Sequence, residues 1–326
     1  MGKVICIGEV LIDFCSTVSD KSLIEAPGFT KAPGGAPANV AVAIKRLGGQ
    51  AGFIGTVGDD PFGQFLIKVL KDNQVDISHL VKIRAGRTPL AFVARYSDGR
   101  VDFAFYHDGK ITALEENHID ESYIAQADAL HFGSISRIDE PSRLATDKAR
   151  KIAGDNALLI SYDPNYRPRL WTDQDFARRC ICEGFEGTHV TKVSKDEWAF
   201  LLGTEDFHTG AALLLDKGIE LVIRSEGGDG ASFATKSTTG HVDAFRVNSV
   251  EFTGAGDAFV ASLLVDLLKI RTGSVAIEQL DKTDIERIIT RANAVGALTT
   301  TKPGAISAIP TRQEVDKFLS RHAKIR

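Results

Sequence analysis

The run Glu251-Phe-Thr-Gly-Ala-Gly-Asp257 stands just ahead of an apolar stretch, Ala258 to Leu268, that reads as a helix. Glycines at 254 and 256 let the backbone curl, so that the amides of Gly254, Ala255 and Gly256 converge on one spot. Together with the positive end of the helix, such amides form an anion hole. Asp257, at the mouth of that hole, has the chemistry of a general base: it can take a hydroxyl proton while the amides stabilise charge on a transferring group. The plainer alternative is an aspartate that caps the helix. A second glycine-rich turn, Ser225-Glu-Gly-Gly-Asp-Gly230, follows the apolar run Leu221 to Arg224. Neither loop has the Gly-x-x-x-x-Gly-Lys-Ser/Thr spacing, and no Gly-x-Gly-x-x-Gly follows the first strand. P-loop and dinucleotide readings lose ground accordingly.

A second group of polar residues has a different chemistry. Asp13 comes just after the first apolar run, and Pro33-Gly34-Gly35-Ala-Pro-Ala-Asn39 leads into a helical stretch. Paired glycines permit close backbone approach, and Asp13 and Asn39 are suited to hydroxyl recognition. A turn aspartate and an N-cap asparagine are the alternatives. In Ser161-Tyr-Asp-Pro-Asn-Tyr-Arg167, Asp163 and Asn165 can hold loops or ligands at a strand end. Arg167 offers a fixed cationic fork to phosphate or a polar substrate, unless it only forms a surface ion pair.

The elements that must carry these residues alternate along the chain. Val4 to Ile7, Gln50 to Val57, Ala129 to Gly133, Ala157 to Ser161, His189 to Val193 and Leu221 to Arg224 read as strands. Helical stretches separate them, such as Asn39 to Gly48 and Phe62 to Asn73. That order predicts a mainly parallel sheet with helices on both faces. The stretch leading into Glu251 also reads as a strand. Residues 14–33 and 88–107 break the pattern; the latter alternates Leu90, Phe92, Ala94, Tyr96 and then Val101, Phe103, Phe105 about a turn at Ser97-Asp98-Gly99-Arg100. Such an insertion is either a flap over a site or an edge for a second subunit. Arg271 to Thr283 reads as a polar loop. No repeat or linker divides residues 1–326, which predicts one domain.

Composition is that of an ordinary globular chain, with 43% hydrophobic and 25% charged residues. A net charge of −4 without a basic run disfavours nucleic acid. No run of 18 apolar residues argues for a bilayer span, and the N-terminus lacks the pattern of a secretory leader. Cys6, Cys15, Cys180 and Cys182 lack zinc-type spacing, so reduced thiols in a cytoplasmic protein are expected.

The chain resembles the PfkB (ribokinase-like) carbohydrate kinases. Gly34-Gly35-x-x-x-Asn39, Gly55-Thr-Val-Gly-Asp-Asp-Pro-Phe-Gly63, Thr253-Gly-Ala-Gly-Asp257-Ala-Phe, Ala292-Asn-Ala-Val-Gly-Ala297 and Lys302-Pro-Gly304-Ala305 match that family's recurrent stretches in order. Within it, Leu130-His-Phe-Gly-Ser-Ile-Ser136 and Asp163-Pro-Asn-Tyr-Arg-Pro-Arg-Leu-Trp171 are most similar to fructokinases. The resemblance implies a three-layer α/β/α fold with a small β-sheet lid made from 14–33 and 88–107; the alternating apolar residues of that lid predict a homodimer through it. It implies ATP-dependent phosphorylation of a sugar, first D-fructose to fructose 6-phosphate. 2-Keto-3-deoxygluconate is the alternative substrate, with Arg95, Arg100, Arg137 or Arg169 to meet its carboxylate; ribokinase activity or a non-catalytic sugar-binding role are further alternatives.

By the same resemblance, Asp257 matches the catalytic base, Gly254, Ala255 and Gly256 the anion hole, and Arg167 a catalytic cation. Asp13, Gly34, Gly35, Asn39 and Phe105 match sugar contacts. Lys192, Ser225, Gly227, Gly230 and Asn293, together with Gly254 and Gly256, match the ATP side, and Glu197 an acidic residue that organises Mg²⁺ through water. Three departures stand out. Ser194 replaces the usual asparagine of the Asn-x-x-Glu motif. Glu251 replaces the aspartate that helps relatives bind a monovalent cation, which puts K⁺ in question. His107 stands where many fructokinases have arginine.

Overall fold

The computed structural model describes residues 2–97, 100–107, 113–271 and 277–322. Thirteen strands and ten α-helices are described there. Asp98 and Gly99 of the expected hairpin turn, and residues 272–276 of the expected polar loop, lie outside the described residues.

The main sheet runs β13(Thr239–Val242), β12(Ala231–Ala234), β11(Leu221–Ser225), β10(Val190–Ser194), β9(Leu159–Asp163), β8(Ala129–Gly133), β1(Lys3–Ile7), β4(Gln50–Gly58), β5(Leu80–Ile83). Pairing is parallel except that β12 runs against both neighbours. Both faces are covered, and alternate residues of each strand enter opposite cores. Val4 and Cys6 of β1 join one apolar cluster with Leu221 and Ile223, whereas Ile5 and Ile7 join the other with Val222. Burial on both faces is why these strands read as continuous apolar runs. The first cluster is closed by α1(Ala36–Arg46), α8(Ala255–Arg271) and α9(Lys282–Thr300), the second by α4(Glu140–Asp155) and α6(Lys195–Leu202) among others. The result is the three-layer α/β/α arrangement. No helix among the described residues is long and apolar enough to cross a membrane.

A second sheet, ordered β3(Phe29–Gly34), β2(Leu11–Ser16), β6(Leu90–Arg95), β7(Val101–Tyr106), forms the small lid. It begins earlier than expected, so Asp13 lies within a lid strand rather than in a turn after β1. Asp60, at the start of α2(Pro61–Asp72), ties the two sheets together. Its carboxylate accepts from Gly63 N at 2.7 Å and from Thr88 N at 2.8 Å, just ahead of β6. Gly58 and Gly63 must be glycines there, because a side chain would meet Thr88 N at 2.5 Å and Gly58 O at 2.1 Å respectively.

Two expected strands differ. The strand expected from Ala157 starts at Leu159, since Ala157 adopts φ 54° as the chain leaves α4. The stretch before Glu251 is not a strand: β13 ends at Val242, and residues 243–254 form no regular element. Their backbone is satisfied from elsewhere. Asn293 Nδ2 donates to Val242 O and Asp243 O at 3.0 and 3.1 Å, and Val250 N and Glu251 N reach Thr300 O at 2.7 and 3.1 Å. Helix α1 starts at Ala36, with Gly35 at φ 103° as its cap, so Asn39 lies inside the helix and is not the N-cap.

Candidate active site

The carboxyl ends of β1, β9, β10 and β11 open toward the start of α8, and the residues singled out above collect along that edge. In open α/β sheets this edge, near the point where strand order reverses, is where ligands bind. Here the reversal falls at β1, between β8 and β4.

Asp257 sits in the first turn of α8, 6% exposed. It does not cap the helix. Oδ2 accepts from Asn39 Nδ2 at 2.8 Å, across 218 residues of sequence, and Oδ1 from Asn165 Nδ2 at 3.3 Å. Asn165 is held at φ 45°, a left-handed conformation that asparagine tolerates better than most side chains. Burial pushes the Asp257 carboxyl up to about 6; the Asn39 bond works against that rise, and the nearby Asp163 charge adds to it.

Beside it lies a buried ion pair, Lys192 Nζ to Asp163 Oδ2 at 2.8 Å. Burial opposes the Lys192 charge, but the Asp163 and Glu197 carboxylates outweigh it and hold its pKa above the ordinary value. Lys192 Nζ lies 3.3 Å from where a side chain at Gly256 would begin, so the glycine leaves room for the cation over the helix start. Gly254 takes φ 79° with Ala305 packed 3.0 Å from its missing Cβ, and the Ala255 amide turns back to Phe252 O at 3.3 Å.

A cavity of about 520 Å³ extends from this point, lined by Lys192, Ser225, Gly227, Gly230, Gly256 and Asn293 among others. Of the seven residues assigned to the nucleotide side, all but Gly254 line it. Asn293, however, spends its amide on the carbonyls of Val242 and Asp243, shaping the wall. Gly230 needs to be glycine: φ is 109°, and a Cβ would meet Val242 O at 2.1 Å. Glu197 forms a capping box with Ser194, accepting from its N at 2.8 Å and its Oγ at 2.6 Å, and its other oxygen accepts from Tyr166 N.

On the lid side, Asp13 faces Gly34 so closely that a Cβ there would lie 2.2 Å from its carboxylate. Burial pushes Asp13 up to about 6, against the pull of the Arg95 charge. Phe105 shares the Asp13 face, since Asp13 pairs with Ala91 and Ala91 with Phe105. Arg167 is exposed, and among the described residues no carboxylate pairs with it. Its charge nonetheless acts on Glu9, Asp13 and Asp257 alike.

Of two further participants, Glu9 was not singled out by sequence reasoning, and Arg95 only as one of four arginines for a keto-acid carboxylate. Glu9 is 2% exposed; Oε1 accepts from Ala36 N at 2.9 Å, Oε2 has no hydrogen-bond partner, and burial pushes it up to about 7. Arg95 reaches from the lid to Glu251 and Thr253. Nothing local in Gly8-Glu9 or Ala94-Arg95 marks them, because their roles depend on partners distant in sequence. Of the four arginines considered for a keto-acid carboxylate, Arg137 is misassigned: it is 1% exposed and held by Asp147, Glu183 and the Cys180 carbonyl.

A buried aspartate at a helix start, a lysine over the same spot and a cavity beside them fit a phosphotransferase of the carbohydrate-kinase class. The chain belongs to the pfkB family of carbohydrate kinases, whose model matches residues 1–312. It is 43% identical over 318 residues to "Probable fructokinase-4" of Arabidopsis thaliana, covering 97% of this chain and 96% of that one. The crystal structure of the Xylella fastidiosa fructokinase with bound ATP superposes with a TM-score of 0.89 at 30% identity, covering 98% and 99% of the two chains. A fructokinase double mutant from Vibrio cholerae O395, in a form binding fructose, ADP and potassium ion, gives 0.84 at 33% identity over 98% of each chain. The fold is ribokinase-like and the protein is a sugar kinase.

Proposed function

We propose that the enzyme transfers the γ-phosphoryl group of ATP to the 6-hydroxyl of D-fructose, with Asp257 as general base. The observation that carries this reading is the placement of Asp257: buried, aimed by Asn39 and Asn165, and in the first turn of the helix whose start carries Gly254 and Gly256. Asp257 takes the hydroxyl proton, the oxygen attacks the γ-phosphorus, and ADP leaves. Charge on the transferring group is met by the amides of Gly254 and Gly256, by Lys192 and by Arg167, the Ala255 amide being turned back to Phe252 O. Asp13, Asn39 and the Gly34-Gly35 backbone hold the sugar, with Phe105 on the same lid face. The fructokinase relatives support fructose over other sugars. The arginines do not favour the keto-acid: Arg95 is paired with Glu251, Arg169 donates to Phe103 O at 3.3 Å, and Arg100 stacks on Tyr96.

Among the described residues no cluster of three acidic, histidine or cysteine side chains could hold a metal alone. That fits Mg²⁺ carried in by the triphosphate and largely water-ligated, where it would offset phosphate charge. Glu197, its oxygens engaged by Ser194 and Tyr166, would act on it through water. Four free thiols fit a cytoplasmic enzyme.

The test is Asp257→Asn. It should fold and bind MgATP normally by calorimetry, yet lose at least ~100-fold in kcat. Near-normal turnover would remove Asp257 as the base.

A further inference from the structure

Glu251 is the residue at which a monovalent cation is expected from the family resemblance, and its surroundings do not fit one. Its carboxylate is largely buried and already charge-paired: Oε1 lies 2.8 Å from Arg95 Nη2. That contact is an ion pair rather than an aligned hydrogen bond, and the same nitrogen donates to Thr253 Oγ1 at 2.7 Å. The other oxygen, Oε2, accepts from Gly304 N at 2.8 Å. A metal ion sharing this carboxylate would sit beside a guanidinium, and like charges at contact distance in a partly desolvated site repel strongly.

We propose that Arg95 is a positioning residue that serves as the built-in cation of the 251–254 loop, so that this kinase needs no monovalent metal ion there. The inference rests on reading the site as a kinase active site, and it assigns the loop's charge balance to a side chain. Three contacts converge on the segment leading into the anion hole. Glu251 is tied to Gly304, Gly254 packs on Ala305, and Arg95 bridges Glu251 and Thr253 from above. The first two bind the segment to the loop that follows α9. The third alone of these comes from the lid.

Arg95 ends β6, on the lid face that carries Asp13. Its charge is the strongest of those drawing the Asp13 carboxyl back from its raised pKa. One guanidinium thus touches the phosphate-side loop and electrostatically faces the sugar-side carboxylate. Guanidinium stays charged at any pH in the working range, as a bound alkali ion would. The longer glutamate side chain, compared with aspartate, suits a partner that arrives from the lid.

The experiment compares K⁺ with tetramethylammonium as the sole monovalent cation. Initial rates with MgATP and fructose should agree within about twofold for the natural protein, and its thermal midpoint with MgATP should be the same in both salts. Arg95→Met should lose at least ~10-fold in kcat with a smaller change in KM for sugar, and K⁺ but not tetramethylammonium should restore part of the loss. Arg95→Lys should keep most of the rate. A tenfold or greater K⁺ activation of the natural protein (~10-fold, beyond ionic-strength effects), or a K⁺-specific rise in its thermal midpoint, would overturn the proposal. So would an Arg95→Met variant with unchanged kcat. The thermal comparison needs no turnover, so absence of activity on fructose in every salt would count against the substrate reading and leave this one decidable.

Discussion

Asp257, Asp13 and Glu9 are each buried, and burial raises the pKa of each, to about 6, 6 and 7. The Asp257 charge acts on both of the others, so the steps seen in titration do not belong to one residue alone. For catalysis the sign is simple: the base must be ionised, so kcat/KM should fall as pH drops through about 6 and level off above it. A pH–rate profile measured with subsaturating sugar checks this, and an acid limb near the ordinary aspartate value of ~4 would contradict it. For stability the sign is opposite. A folded-state pKa above the unfolded one means stability that is present below the unfolded value and lost as pH rises through the folded value. The site therefore holds its charges at neutral pH against the fold's preference, a common feature of active sites. At this scale the sequence was readable where chemistry is local. Gly-Ala-Gly-Asp257 and Gly34-Gly35 announce themselves, because a curled backbone needs glycine. Glu9 and the bridge from Arg95 to Glu251 did not, because an orphaned carboxylate oxygen and a contact from the lid exist only in three dimensions.

The strands of the central sheet were legible for the reason that they are buried on both faces. Ala129–Gly133 was placed to the residue, and most of the others to within one or two. The segment 243–254 misled because Ala244, Phe245 and Val247 are apolar for another purpose: they line the nucleotide-side cavity while Asn293 and Thr300 replace ladder partners. The lid was legible as an alternating insertion, and its alternation has a consequence. One face carries Asp13, Arg95 and Phe105. The other carries Phe29, Phe92 and Tyr106 around a depression of about 760 Å³, with Ile24 96% and Tyr106 61% exposed. Apolar surface of that kind on an open-edged sheet is suited to a second copy of the chain. We expect a homodimer by light scattering at about micromolar concentration, and a shift toward monomer for the double variant Ile24→Asp, Tyr106→Asp. A monomeric natural protein would count against the lid as an interface.

At the scale of the whole molecule, two apolar cores clamp the sheet so that its carboxyl edge is rigid, and the lid is anchored to that edge through Asp60 and Thr88. Asp257, its two asparagines, the Lys192–Asp163 pair and the glycine turns come from β9, β10, β11, α1 and α8 and the loops that follow them, and none would meet without that frame. This long-range assembly is why the order of the motifs identified the family, while the roles of individual contacts waited for the fold. The substrate is the claim on which the account turns. The direct measurement is ADP release with MgATP against fructose, ribose, glucose and 2-keto-3-deoxygluconate. The account predicts that fructose is preferred by at least ~10-fold in kcat/KM. Turnover confined to the keto-acid would contradict it, keeping the base and the anion hole but reassigning the sugar side.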